Sequence, residues 1–305
     1  MTIAYFELLG AVVDKEITFI SEQLGKSTDE VYELILDEAE RNQSEWYSNR
    51  VPNLNYHSPA CRLAYLYIVA AANASTFQHV LESNEDLHDY VLEIAKDRHE
   101  VKICAFGAGP GTELMAMAKF FDQQSLGNSV SVDFQLLDKV EEWTSSWYGI
   151  RDQINECFRS QYGANRSTWP MIPSGNFLAC DVTALDRLPY LGHVWQQDIY
   201  VINFLLSEIF NDDPGLRSFL TQIAKFAPTG ARFVFIERRG FMWQQRMENI
   251  ATEAGLILSP FVEESRSNGF AGEDPTNLGR IYDSIQESRK PRLSWNVVYS
   301  IGTKQ

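Results

Sequence analysis

The residues best able to do chemistry in this sequence are three glycines followed, at intervals, by two aspartates and an asparagine. An apolar run, Ile103-Cys104-Ala105-Phe106, enters Gly107-Ala108-Gly109-Pro110-Gly111 and leaves through Thr112-Glu113 into a helical pattern. A turn of small residues lets the backbone fold sharply and lets a ligand lie directly on it. The helix start beyond it offers free N–H groups. Asp138 then closes a second apolar run, followed by Lys139. Asp181 and Val182 follow Cys180 at the end of a third, and Asn203 ends a fourth. An acid at the tip of the second run can accept two hydrogen bonds from a ribose. One at the tip of the third can accept from an adenine amino group. Ser207 and Glu208 come just after Asn203, where a second reactant is expected, and Glu208 there can act as a base or as the partner of a cation.

These side chains meet only if their runs are neighbouring strands of one parallel sheet. The spacing predicts strands over 102–106, 129–137, 176–180, 199–205 and 231–236, separated by helices over 113–121, 141–162 and 214–226. Strands alternating with helices make a parallel sheet covered on both faces. Such sheets bind ligands at the carboxyl ends of their strands, where the residues above fall. A helix over 243–254 is ended by Gly255, and two further strands are expected over 256–262 and 294–302. The polar stretch 263–292 reads as a loop with one helix. The first hundred residues read as helices over 3–24, 28–42, 60–82 and 84–95, the second opened by Ser27-Thr28-Asp29-Glu30, with a loop carrying Pro52, Asn53, Asn55 and Pro59. A helical segment over 1–97 and an α/β unit over 98–305 follow from this reading.

Composition excludes other classes. No apolar run reaches the roughly eighteen residues needed to cross a bilayer; the longest candidate, Leu63 to Ala74, contains two Tyr and an Asn. The start of the chain lacks the pattern of a signal peptide, so a cytoplasmic setting is expected. Cys61, Cys104, Cys157 and Cys180 are neither paired at metal-ligand spacing nor joined by a His cluster, so no metal site is expected. A net charge of −15 argues against broad binding to nucleic acid.

The glycine spacing separates two ligand classes. A dinucleotide fingerprint needs Gly-x-Gly-x-x-Gly. Counted from Gly107 the third glycine falls on Thr112, and from Gly109 on Leu114, so both registers fail. A Gly-Lys-Ser/Thr phosphate loop is absent as well.

From Val101 to Lys304 the chain resembles a class I (Rossmann-like) S-adenosylmethionine-dependent methyltransferase. The resemblance implies a seven-stranded, mostly parallel sheet whose last strand is antiparallel. It places the cofactor against Phe106, Gly107, Ala108, Gly109, Gly111 and Glu113, with Asp138 and Lys139 on the ribose side, Asp181 and Val182 on the adenine side, and Asn203 at the fourth strand. One position departs from the family pattern: Ala105 stands where the family often has an acid near the cofactor's methionine end. Glu113 is the candidate substitute.

The acceptor is less legible. The fourth strand runs on as Asn203-Phe204-Leu205-Leu206-Ser207-Glu208-Ile209-Phe210, without the Asn/Asp-Pro-Pro-Tyr/Phe that family members acting on amide or adenine nitrogens often carry. Methyl transfer is chiefly a matter of positioning, so Glu208 and Ser207 are the only catalytic candidates. Arg238, Arg239 and Arg246 form one basic group and Arg289, Lys290 and Arg292 another; each can grip a phosphate or carboxylate, with a solvated surface run as the favoured reading. Tyr56, His57, Arg62, Tyr65 and Tyr67 are the polar and aromatic residues of the helical segment nearest the rim. Tyr65 and Tyr67, two apart, cannot share a helix face. Trp143 and Trp147 share one, with packing against the sheet as the default. A small-molecule or protein acceptor is expected. An RNA acceptor held by the Arg groups, and a partner-binding protein without turnover, are the alternatives.

Overall fold

The computed structural model describes residues 3–47, 52, 54–124, 126–185, 192–209, 213–267 and 269–305. Asn53 and Phe210, quoted above for the loop and for the stretch after the fourth strand, lie outside the described residues. One sheet contains β1 (Glu100–Phe106), β2 (Val130–Asp138), β3 (Met171–Ala179), β4 (Ile199–Asn203), β5 (Arg232–Arg238), β6 (Leu256–Leu258), β7 (Val262–Arg266) and β8 (Trp295–Lys304). The order is β3-β2-β1-β4-β5-β8-β6, with β7 also on β8. The first five strands run parallel, while β8 is antiparallel to β5, β6 and β7.

The expected seven-stranded sheet is present with its sixth lane broken in two. The strand expected over 256–262 stops at Leu258 and a new one starts at Val262. Pro260 lies in the gap and has no N–H to give to β8. Ser259 replaces part of the ladder, since its N–H donates to the Ile301 carbonyl and its Oγ accepts from the Ile301 N–H. The strand expected over 176–180 is longer and ends earlier, at Met171–Ala179.

The strands alternate between two cores, as a period of two requires. Val101, Ile103 and Ala105 of β1 face one layer, and Cys104 and Phe106 face the other. The first layer holds α6 (Thr112–Gln123) and α7 (Trp143–Tyr162) together with the front helices. These are α1 (Tyr5–Leu24), α2 (Thr28–Tyr47), α3 (Pro59–Tyr65), α4 (Ala71–Ser83) and α5 (Glu85–Arg98). The second holds α9 (Asp213–Phe226) and α10 (Phe241–Glu253). Within the stretch read as a loop, β7 extends to Arg266 and α11 spans Arg280–Ile285. None of the described helices is long and apolar enough to cross a membrane.

Two departures from regular geometry sit at the sheet's upper rim. A π-helical turn, Leu66–Ala70, joins α3 to α4 within what the periodicity reads as one helix. Phe204, between β4 and the short α8 (Leu205–Glu208), has φ 56°, a left-handed conformation that costs a bulky residue on the order of 1–3 kcal/mol. Its N–H donates to the Ile236 carbonyl, which helps hold it there.

Candidate functional site

The order of the strands reverses between β1 and β4, and the glycine turn opens over that point. Phe106 is in register with Leu137 and with Ile202, so Asp138 and Asn203 each project one residue beyond the aligned strand ends. The turn is stitched to the end of β2: the Ala108 N–H donates to the Leu137 carbonyl, and the Gly109 N–H to Asp138 Oδ2 at 2.9 Å. Asp138 Oδ1 accepts from the Val140 N–H at 2.8 Å. Each carboxylate oxygen has a second lone pair, so Asp138 can clamp the turn and still accept from a ligand hydroxyl. Burial pushes its carboxyl above the usual range, against the pull of those two backbone bonds.

A cleft beside the turn is lined by Gly107, Gly109, Asp138, Lys139, Asp181, Val182 and Asn203. Thus seven of the eleven positions expected to hold the cofactor face one space. A Cβ on Gly109 meets no protein atom nearer than the Trp143 ring at 3.8 Å, so the room above this glycine belongs to the cleft. Gly107 and Gly111 differ. A Cβ there would lie 2.5 Å from Leu205 and 2.9 Å from Leu136 and Trp147, so these glycines serve close packing. Asp181 Oδ1 is occupied by the Thr183 N–H and hydroxyl, at 2.9 and 2.7 Å.

Four expected positions stand back from the cleft. Phe106 points to the opposite face of β1 and packs on Tyr200 and Phe219. Ala108 and Gly111 serve the turn without lining the space. Glu113 lies buried behind Asn203, whose Nδ2 donates to its Oε1 at 3.1 Å. Its carboxyl is pushed up by burial. Asn203 Oδ1 and Glu113 Oε2 are both buried without a partner among the described residues. A buried acceptor left unsatisfied costs about 1–3 kcal/mol, and Asn203, which lines the cleft where Glu113 does not, is the member of the pair placed to meet a cationic donor there. Ala105, buried in the core, contributes no charge.

The front helices supply the opposite wall through Tyr56, Tyr65 and Asn73, with Trp143 beside them. The π turn explains why two of these point the same way. In an unbroken α-helix, residues eight apart are turned about 80° from each other, and one residue absorbed by a wide turn reduces this to about 20°. Tyr65 and Asn73 therefore share a face, and the Asn73 Nδ2 donates to the Tyr65 hydroxyl at 2.8 Å. Trp143 packs against Tyr56 and Tyr65, with ring centroids 5.5 and 5.4 Å apart, so it belongs to the cleft wall, whereas Trp147 stays in the core against Phe134. Tyr67 turns away and donates to the Arg289 carbonyl. His57 lies outside, against Glu142, and Arg62 holds the loop by donating to the carbonyls of Tyr56 and His57. The sequence reading missed Asn73 and Phe204. An all-apolar Leu66–Ala70 gives no sign that the helix widens there.

Glu208 stands in the floor between this cleft and a second cavity. Its Oε1 accepts from the Tyr56 hydroxyl at 3.2 Å. Burial, and after it the Asp138 carboxylate, pushes its carboxyl up to about 7. A carboxyl poised there can both take and return a proton near neutrality. Ser207 faces the second cavity, but its hydroxyl donates to the Phe204 carbonyl and its N–H to buried Glu237. Ser207 is thus a structural hinge of the wall.

The chain is similar to known proteins. A family profile described as "Putative SAM-dependent methyltransferase" matches residues 37–249. No curated protein matches. Three solved structures are similar to this chain at low identity. A "putative RNA methyltransferase" of Pyrococcus horikoshii is 12% identical, with 78% of this chain and 87% of that one covered and a TM-score of 0.42. A SAM-dependent methyltransferase of Methanosarcina mazei is 10% identical, over 72% and 97% of the two chains, with a TM-score of 0.42. A precorrin-6y C5,15-methyltransferase of Geobacter metallireducens is 12% identical, over 72% and 89%, with a TM-score of 0.37. With the profile spanning more than half of its length, the chain belongs to this family of S-adenosylmethionine-dependent methyltransferases.

Proposed function

We propose that the cleft binds S-adenosylmethionine and that the chain methylates a small molecule or protein side chain placed in the second cavity. One observation carries the reading: Tyr65, Asn73, Phe204 and Glu208 line both spaces, so two reactants would meet across a single thin wall. The cofactor supplies an electrophilic methyl group on a sulfonium.

The protein's own residues do the rest. Asp138 and Asp181 would take the ribose and the adenine edge, and Asn203, oriented by Glu113, would receive the ammonium. The cleft lining holds Asp138, Asp181 and Glu208 against one cation, Lys139. That charge balance favours a cationic ligand. Glu208 would take the proton of a protic acceptor, and the aromatic wall of Tyr56, Tyr65 and Trp143 would exclude water.

The test is transfer of a labelled methyl group to small-molecule, protein and RNA fractions side by side. Label entering the small-molecule or protein fraction supports the reading. Label confined to RNA supports the alternative acceptor. Cofactor binding with no label in any fraction supports a partner-binding protein instead.

A further inference from the structure

The second cavity has a charge opposite to that of the chain. The protein holds 41 acidic residues against 26 Lys and Arg, yet this space is lined by Arg238, Arg289, Lys290 and Arg292 and by a single acid, Glu208. Some cations elsewhere are matched by acids, as in Arg98 with Asp198, Lys119 with Glu273, Arg217 with Glu253 and Arg239 with Glu263. Among the described residues none of the four cavity cations forms an ion pair.

The fold makes the cluster. β5 pairs antiparallel with β8, with Arg238 opposite Val297, so the end of one strand meets the segment leading into the other. That segment is pinned to the π turn. The Arg292 N–H donates to the Ile68 carbonyl at 2.8 Å, and the Tyr67 hydroxyl donates to the Arg289 carbonyl at 2.8 Å. Two basic groups that look like separate surface runs in the sequence thereby face one space. The others are spent elsewhere: Arg239 pairs with Glu263, and Arg246 donates to the Leu206 carbonyl. Arg238 and Arg289 are fixed by bonds to the Trp46 carbonyl and to Gln43, and Arg289 Nε is buried without a partner among the described residues. The cavity measures about 480 Å³ and has Trp46, Tyr65 and Trp295 in its walls.

We infer that this cavity is the acceptor site and that it selects a small, flat acceptor bearing a carboxylate or phosphate. Its oxyanion would be held by Arg238, Arg289, Lys290 and Arg292, and its protic atom turned toward Glu208. Guanidinium groups fixed before the ligand arrives match planar oxyanions in two-point contact. Aromatic walls suit a flat apolar body. The inference rests on the methyltransferase reading for the word acceptor; the anion site itself does not depend on it.

The experiment titrates the full chain, with and without S-adenosylhomocysteine, with 4-hydroxybenzoate, phenyl phosphate, neutral 4-hydroxybenzamide and a short single-stranded RNA. The expected result is that the two anions bind at least tenfold more tightly than the neutral amide. Arg289→Gln should lose at least tenfold in anion affinity while S-adenosylhomocysteine affinity stays within twofold. Lys290→Gln with Arg292→Gln, both exposed and safe for folding, should lose affinity in the same direction. Equal binding of anion and amide, anion affinity unchanged in all variants, or no anion binding at all would overturn the inference. So would RNA binding that depends on these cations when the small anions do not bind. Anion binding by a protein that fails to bind S-adenosylhomocysteine would support the anion site and refute the methyltransferase reading.

Discussion

Replacing Glu208 with Gln is expected to stabilise the free protein at pH 8 and to remove its activity. The carboxyl sits at about 7 against an ordinary 4.5, chiefly because burial disfavours its charge and next because Asp138 lies near. The unfolded chain releases this proton near 4.5, and the folded chain holds it until about 7. Unfolding therefore releases a proton within that window, and the folded state loses stability as pH rises from 4.5 through 7. At about 1.4 kcal/mol per tenfold, the ionised group costs at most about 3 kcal/mol above pH 7. Gln keeps the shape and can still accept from the Tyr56 hydroxyl, but carries no charge to desolvate. For a chain of this length 3 kcal/mol corresponds to about 5 °C in Tm. Thermal melts of both proteins at pH 5.5 and pH 8 provide the assay. A Tm gain of about 5 °C at pH 8 that falls to about 2 °C at pH 5.5, inside the titration window, is expected. An equal gain at both values, or a loss at pH 8, would refute the claim that Glu208 is held in a charge-averse site. In the native enzyme, kcat/KM should rise through pH 7 as Glu208 ionises, and the Gln variant should lack that rise.

Asp138→Ala should weaken S-adenosylmethionine binding at least tenfold in calorimetry while the circular dichroism spectrum stays native; unchanged affinity in the folded variant would remove Asp138 from the site. Gly109→Val should fold, because its Cβ meets nothing closer than 3.8 Å, at a backbone cost of about 1–3 kcal/mol for a β-branched residue at φ 52°. It should not bind, since its side chain fills the cleft, and normal binding by this variant would sink the assignment of the turn.

The sheet was legible because its signals are local. Apolar runs ending in Gly107, Asp138 and Asn203 fix the carboxyl ends of β1, β2 and β4, and chain order does the rest. What stayed hidden depends on contacts far apart in sequence. The basic cavity exists because β5 and β8 pair, bringing Arg238 beside residues some fifty positions later. The sharing of one helix face by Tyr65 and Asn73 depends on an extra residue in a run of uniform apolar character, where periodicity has nothing to measure. The left-handed Phe204 is set by the bond of its N–H to Ile236 on a neighbouring strand. Two further features are legible in the sequence itself. Alternation along β1 puts Phe106 on the face opposite Ala105, and Pro260 forbids an unbroken strand from Leu256 to Val262.

The most direct test of the central claim is calorimetric titration of the purified protein with S-adenosylmethionine and then with S-adenosylhomocysteine. Micromolar binding of both is predicted, with affinity carried by the Asp138, Asp181 and Asn203 rim. Failure of a folded protein to bind either would contradict the account of the cleft as a cofactor site.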